Sequence, residues 1–385
     1  MTSLHARTVR LEDVTPAEEA RWRELAARAV EPSPFLDPSF LLTAARWFPT
    51  AAGIRLVVVE DATRMLALLP LSVEPRFQGL PVPYATTAGP FLSRRAPLCA
   101  PLVDRDRTVD ALTTLLQHFG GRGAGLPGLV ELTLLPGVGA LYDAVGAAAR
   151  ATRTPMLERY RFERATMRPV PGGTTWRAEL SPSRRKKLGR LARGLERELG
   201  APLVAEDRGA DPAAFEEFLD LEAAGWKGTT DRGGALRVTP NGVEWFTQVT
   251  DGFRERGLLR LFTLSAGDRT LFMSVSLVCG KGVFSLMDTY DEEYARLSPG
   301  VVGRAAEVDH FLADPGRVEL FDQCMHPKNV ESSALYPQRR ALVGLLLAPR
   351  GAVNRTLVRA LPRAAAVRTV VRDRVGGGTH RQEAA

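Results

Sequence analysis

Apolar residues fall at helical spacing over residues 16–30 and again over 37–48, where Asp37 and Pro38 supply a cap and a first-turn proline. The pattern then changes. Two apolar runs fill 54–74 around a polar turn at Asp61–Arg64, which reads as a β-hairpin. Helical spacing returns over 107–119, and "LVELTLL" (129–135) reads as a buried strand. The same order comes back later. Helices are predicted over 213–226 and 242–257, and 258–290 runs strand, polar turn, strand, Gly-Lys-Gly turn, strand. A helix over 299–312 and a strand over 318–325 follow. "RLVVVEDATRMLALLPL" and "RLFTLSAGDRTLFMSVSL" both open on Arg-Leu, turn through Asp and Arg, and close on a second apolar strand. Two helices precede each. The spacing predicts an α/β (α+β) protein built from two copies of one unit.

Composition narrows the class. Of the 385 residues 45% are hydrophobic, enough for real cores, yet no apolar run approaches the roughly 18–20 residues of a membrane span. The first twenty residues are charged and carry no signal-peptide segment, and the three cysteines (Cys99, Cys279, Cys324) are scattered. These features lead us to expect a cytoplasmic protein with no metal site and no disulfide framework.

The formal charge is +7, and its distribution matters more than its size. "LSPSRRKKLGRLARGLERELG" (180–200) places Leu188, Leu191, Leu195 and Leu199 on one helical face. Arg184, Arg185, Lys186, Lys187, Arg190, Arg193 and Arg197 meet only Glu196 and Glu198 there. Residues 350–374 add seven arginines against one acid, on a helix interrupted near Pro362. Two such helices fit a polyanion footprint; a solvated surface is the other reading. "YDEEYARLSPG" (290–300) ends with Ser298 and Pro299 suited to the cap and first position of the next helix. That turn aims backbone N–H groups and a helix dipole at one point, as an anion site does. The chain has no Walker loop, no HExxH and no GxSxG elbow, and "GGRGAG" (120–125) sits in the wrong order for a dinucleotide fingerprint.

"SPSRRKKLGRLARGLE", "LEAAGWKG", "YDEEYARLSPG" and "DQCMHPKNVESSALYPQRR" together resemble the bacterial GNAT-type acyltransferases of the CelD-like group, relatives of the Fem aminoacyl-tRNA-dependent ligases. The resemblance covers about 180 to 340. It implies two tandem GNAT-like domains, each a mixed, mostly antiparallel sheet flanked by helices. These would be 1–170 and 171–348, with a basic tail over 349–385. It also implies amide formation by direct attack of an amine on an acyl donor. In such enzymes an Arg/Gln-x-x-Gly-x-Gly/Ala turn holds the pyrophosphate of coenzyme A. Here the run is Arg296-Leu297-Ser298-Pro299-Gly300-Val301, which loses an N–H to proline and lacks the second glycine.

The expected co-substrate is therefore aminoacyl-tRNA, held by Arg184, Arg185, Lys186, Lys187, Arg190 and Arg193, with a small-molecule amine as acceptor and no tightly bound cofactor. Arg296, Ser298 and Gly300 would hold a smaller anion. Acyl-CoA as donor, and an inactive polyanion-binding protein, are the alternatives. Candidates for the chemistry are Lys227 beside Trp226, the carboxylates Asp288, Asp291 and Glu292 at a strand end, Asp322 on the neighbouring strand, and His326 before Pro327. Each has a bland counterpart: turn solvation for the strand-end acids, and for Asp322 a buried salt bridge to Arg339 or Arg340.

Overall fold

A computed structural model describes residues 3–170, 175–229, 234–313, 316–325 and 334–361. The chain opens with β1 (His5–Arg10), α1 (Pro16–Arg28) and α2 (Pro38–Trp47). Thr15 and Asp37 cap these helices through the amides of Glu18 and Ser39, and a proline follows each cap. The hairpin β2 (Arg55–Glu60) and β3 (Met65–Glu74) comes next, then β4 (Tyr84–Thr86) and the short α3 (Leu92–Arg95). β5 (Leu102–Val103), α4 (Thr108–Gly120), β6 (Val130–Pro136), α5 (Ala140–Ala151) and β7 (Met156–Met167) complete the first unit.

The second unit repeats the order. It starts with the basic α6 (Pro182–Leu199), capped by Ser181, and β8 (Leu203–Asp207). Next come α7 (Pro212–Ala224), α8 (Gly242–Arg254), β9 (Leu259–Ala266), β10 (Arg269–Cys279) and β11 (Gly282–Tyr290). α9 (Pro299–Leu312), β12 (Leu320–Asp322) and β13 (Gln338–Leu347) close it, and 352–361 forms a last helix. The hairpins β2–β3 and β9–β10 are both antiparallel and hold the same place in their units, as the repeat predicts.

The two units form one sheet, ordered β1-β2-β3-β4-β6-β13-β7-β12-β11-β10-β9-β8, with β5 off the path against β3. Their last strands are exchanged. β13 lies antiparallel between β6 and β7 of the first unit, while β7 pairs with β12 of the second. β3 is buried on both faces along eight residues, which explains its unbroken apolar run "MLALLPLS". On one face α2 and α8 pack together, with Phe40 edge-on to Trp245 at 5.4 Å, and one core runs across both units. On the other face α4 and α5 cover the first unit, and α6 and α9 the second.

One expectation changes. The strand expected over 318–325 stops at Asp322, because Cys324 adopts a left-handed backbone (φ 53°) that turns the chain off the sheet. Of the basic tail, only 350–361 falls among the described residues. Among the described residues no helix is long and apolar enough to cross a membrane.

Candidate functional site

β11 and β12 run parallel and pair only from Gly282–Leu320 to Phe284–Asp322. Beyond that point β11 continues to Tyr290 on its pairing with β10, while Cys324 carries the other chain away. The fork encloses a cleft of about 550 Å³. Ser285–Asp288 and Arg304 line one side and Gln323–Met325 the other. The facing wall belongs to the first unit: Arg94, Arg95, Leu134, Phe162 and Arg164.

Small residues set the depth of this fork. A Cβ on Gly303 would lie 2.1 Å from the ring of Phe272, and one on Gly300 3.0 Å from that of Tyr290, so α9 presses directly on the strands. That contact seats the polar side chains of α9 behind the cleft. Arg304 Nε donates to Asp288 Oδ2 at 2.6 Å. Burial alone would lower the Arg304 pKa, but Asp288 holds it above the ordinary value. Glu307, one turn on, accepts from Ser274 Oγ at 2.5 Å and from Gln323 Nε2 at 3.2 Å. Burial pushes its carboxyl up to about 7. The Tyr336 hydroxyl is buried nearby without a hydrogen-bond partner among the described residues, and burial raises its pKa well above the ordinary value.

Lys227 reaches the same strand end. It sits in the turn Trp226–Gly228 after α7 and donates Nζ to the carbonyl of Asp288 at 2.6 Å. Gly228 makes that tight turn possible, since a Cβ there would meet the Ala223 carbonyl oxygen at 1.9 Å.

The other expected residues go elsewhere. Asp322 lies behind the cleft, fully buried, with Oδ2 bound to Arg164 Nη2 at 2.6 Å and to Arg340 Nη1 at 3.4 Å, and Oδ1 accepting from the Cys324 amide at 2.9 Å. It is the centre of a buried ion cluster between the units. Asp291 is drawn off by the turn it caps: it accepts from the Glu293 amide and from Arg269 Nε at 2.5 Å. Arg296 pairs with Glu198 of α6, away from the cleft. Ser298 does occupy the cap position of α9, but in a left-handed conformation (φ 51°) that leaves its hydroxyl out of the cap. His326 lies outside the described residues. Cys324 is no ready nucleophile, since burial, and then Asp322, raise its thiol pKa well above the ordinary value.

The helix end at Gly300 has little to offer a pyrophosphate. Ser298 N–H bonds the Ala295 carbonyl, Val301 and Val302 both bond the Ser298 carbonyl, and Pro299 has no N–H. Gly300 alone keeps a free amide among the described residues. Beside it, α6 buries Leu188, Leu191 and Leu195 and rests Gly194 against Leu297. Its outer face exposes Arg184, Arg185, Lys186, Lys187, Arg190 and Arg193, none with an acidic partner among the described residues.

Arg304, Glu307, Arg164, Arg94 and Arg95 escaped the sequence reading. One signal for the first two was present: Gly300, Gly303, Arg304 and Glu307 share a helical face, and a face with two glycines is one that packs closely. Nothing local points to the wall from the first unit.

No curated protein matches the chain. Among solved structures, FemX is similar, with a TM-score of 0.54 at 10% identity over 89% of this chain and 97% of that one. The C-terminal domain assigned to a lysylphosphatidylglycerol synthetase of Agrobacterium fabrum gives 0.50 at 13% identity, over 92% and 97%. Identities this low speak for the fold. Residues 182–322 match the family described as Acetyltransferase (GNAT) domain, a span that contains α6, Lys227, the open fork and α9. The second unit thus carries an acetyltransferase domain of the GNAT type, spanning residues 182–322.

Proposed function

We propose that the cleft transfers an aminoacyl group from aminoacyl-tRNA to the amine of a small-molecule acceptor. The observation that carries this reading is the helix end of α9. With one free amide it is a poor cradle for pyrophosphate, while the neighbouring α6 presents six unpaired cations to a much larger polyanion. The donor ester would lie along β11 past Phe284, where that edge has no strand partner and its N–H groups are free to take a developing oxyanion. The amine attacks the ester carbonyl; the new C–N bond forms and the C–O bond to the terminal ribose breaks. Asp288 Oδ1, unbonded among the described residues, takes the proton from the amine, and Lys227 beside it protonates the departing oxygen.

The test supplies an amine acceptor with either charged tRNA or acyl-CoAs, with and without ribonuclease. Transfer from charged tRNA, abolished by ribonuclease, is the expected result. Affinity for tRNA should fall by about 0.7–0.9 log units per log unit of salt for each phosphate contact, and charge reversal of Arg184, Arg185, Lys186 and Lys187 should flatten that slope. Asp288→Asn should lower turnover about 100-fold or more. Transfer from acyl-CoA, indifferent to ribonuclease and to the reversals, would establish the second reading, an acyl-CoA-dependent N-acyltransferase, which the GNAT domain match itself favours.

A further inference from the structure

The cations in and beside the cleft are not all matched. Arg304 is matched by Asp288, and Arg164 and Arg340 by Asp322 and Glu31. Arg94, Arg95 and Lys227 remain without a carboxylate at ion-pair distance among the described residues. Glu222, the acid whose field reaches Arg95 and Lys227, is buried, accepts from the Leu236 amide at Oε2 and leaves Oε1 unbonded; even ionised it would offset one charge of the three. Arg95 is also fixed in place. Its guanidinium lies 5.5 Å from the ring centre of Phe48 and 5.3 Å from that of Trp245, which orients the planar fork before any ligand arrives. Burial, with Arg94 adjacent, lowers its pKa, so an anion at this wall relieves a strained charge. Arg164, buried and lining the same cleft, keeps its Nε–H without an acceptor. Surplus charge and an unused buried donor converge on one cavity.

We infer that the wall lent by the first unit, Arg94 and Arg95 with Arg164 Nε behind them, binds an oxyanion carried by the acceptor, so that the acceptor is an amine bearing a carboxylate or a phosphate. The inference rests on reading the cleft as the transfer site, but the oxyanion subsite itself can be measured without turnover. Arg95 and Arg164 are held by the protein, whereas Arg94 is exposed at the cleft wall. The donor, by contrast, is gripped at α6 on the far side of α9.

The test is calorimetric titration of the full chain with inorganic phosphate and, separately, acetate, at low salt. The arm that saturates with the tighter constant identifies the group. Arg94→Glu should weaken that binding at least tenfold, and Arg95→Lys, which keeps the charge but loses the ring contacts, about threefold to tenfold. Reversal of the four α6 cations should leave it unchanged. Equal binding by wild type and Arg94→Glu, or loss in the α6 variant instead, would overturn the inference. Binding that depends on Arg94 in a protein that transfers nothing from tRNA or coenzyme A would leave the subsite standing and overturn the proposed reaction. Where transfer is observed, Arg94→Ala should raise the acceptor KM and leave the donor KM alone; a rise in the donor KM only would assign the wall to the donor.

Discussion

The two units carry the same fork and use it differently. In the second unit β11 and β12 part after three paired residues and leave a cleft. In the first unit β4 and β6 run parallel over Ala85–Val130 and Thr86–Glu131, and the gap beyond is stitched shut. The Thr87 amide donates to the Glu131 carbonyl at 3.1 Å, the Thr133 amide donates to Thr87 Oγ1 at 2.8 Å, and the two hydroxyls lie 3.0 Å apart. Both units even bend at the same step: Leu134 and Cys324 each take a positive φ four residues after the first parallel pair. The helices beyond the forks differ too. α4 begins beside Asp104 and Asp106 with Asp110 in its first turn, a poor place for an anion, whereas α9 has no acid in its first turn. Of the two forks in this repeated fold, one stays open as a cleft. The closed copy has become the wall of the open one.

Cutting the tie between the units should have the largest effect. Asp322→Ala strands Arg164 in the interior and leaves Arg340 to Glu31 alone, and removal of one partner from a buried ion cluster costs about 3–5 kcal/mol. Denaturant melts should show this loss. A protein of unchanged stability and lost turnover would return Asp322 to the chemistry.

A smaller effect comes from Glu307, which has no threonine stitch to stand in for it. The folded state raises its carboxyl from 4.5 to about 7, so the folded protein holds that proton more tightly than the unfolded chain. Stability from this group is complete below about pH 4.5 and is lost as pH climbs through about 7. Glu307→Gln should therefore match wild type near pH 4 and exceed it by about 1–3 kcal/mol at pH 8. Urea melts at the two pH values check this; parallel curves would show that the carboxyl titrates normally.

The smallest effect is expected from opening the closed fork. Thr87→Val leaves the buried Thr133 amide without its acceptor, at a cost of about 1–3 kcal/mol, and should leave turnover within about twofold of wild type. A marked fall in turnover would mean that the first fork takes part in the reaction.

The sequence made the repeat and the helix starts readable because caps, prolines and 3.6-residue spacing are local signals. β7 was missed for a physical reason. "MLERYRFERATM" carries charges along a central strand whose first eight residues are none of them fully buried, so it has no apolar run to betray it. β13 looks apolar enough, but no local pattern says that it belongs between two strands of the other unit. The site divides along the same line. Lys227 and the strand end near Asp288 were legible as candidates from their elements. Arg164, which meets Asp322 from 158 positions away, could be found only in three dimensions.

The exchange of β7 and β13 has a consequence for synthesis. A ribosome delivers residues 1–167 long before β13 exists, so the emerging first unit waits with an unfilled slot beside β6. Its sheet closes only when β13, ending at Leu347, has been released. Such late, distant pairing slows folding and leaves a strand edge open to wrong partners, including the same slot on a neighbouring nascent chain. The first unit therefore keeps an exposed edge beside β6 until β13 arrives to cover it.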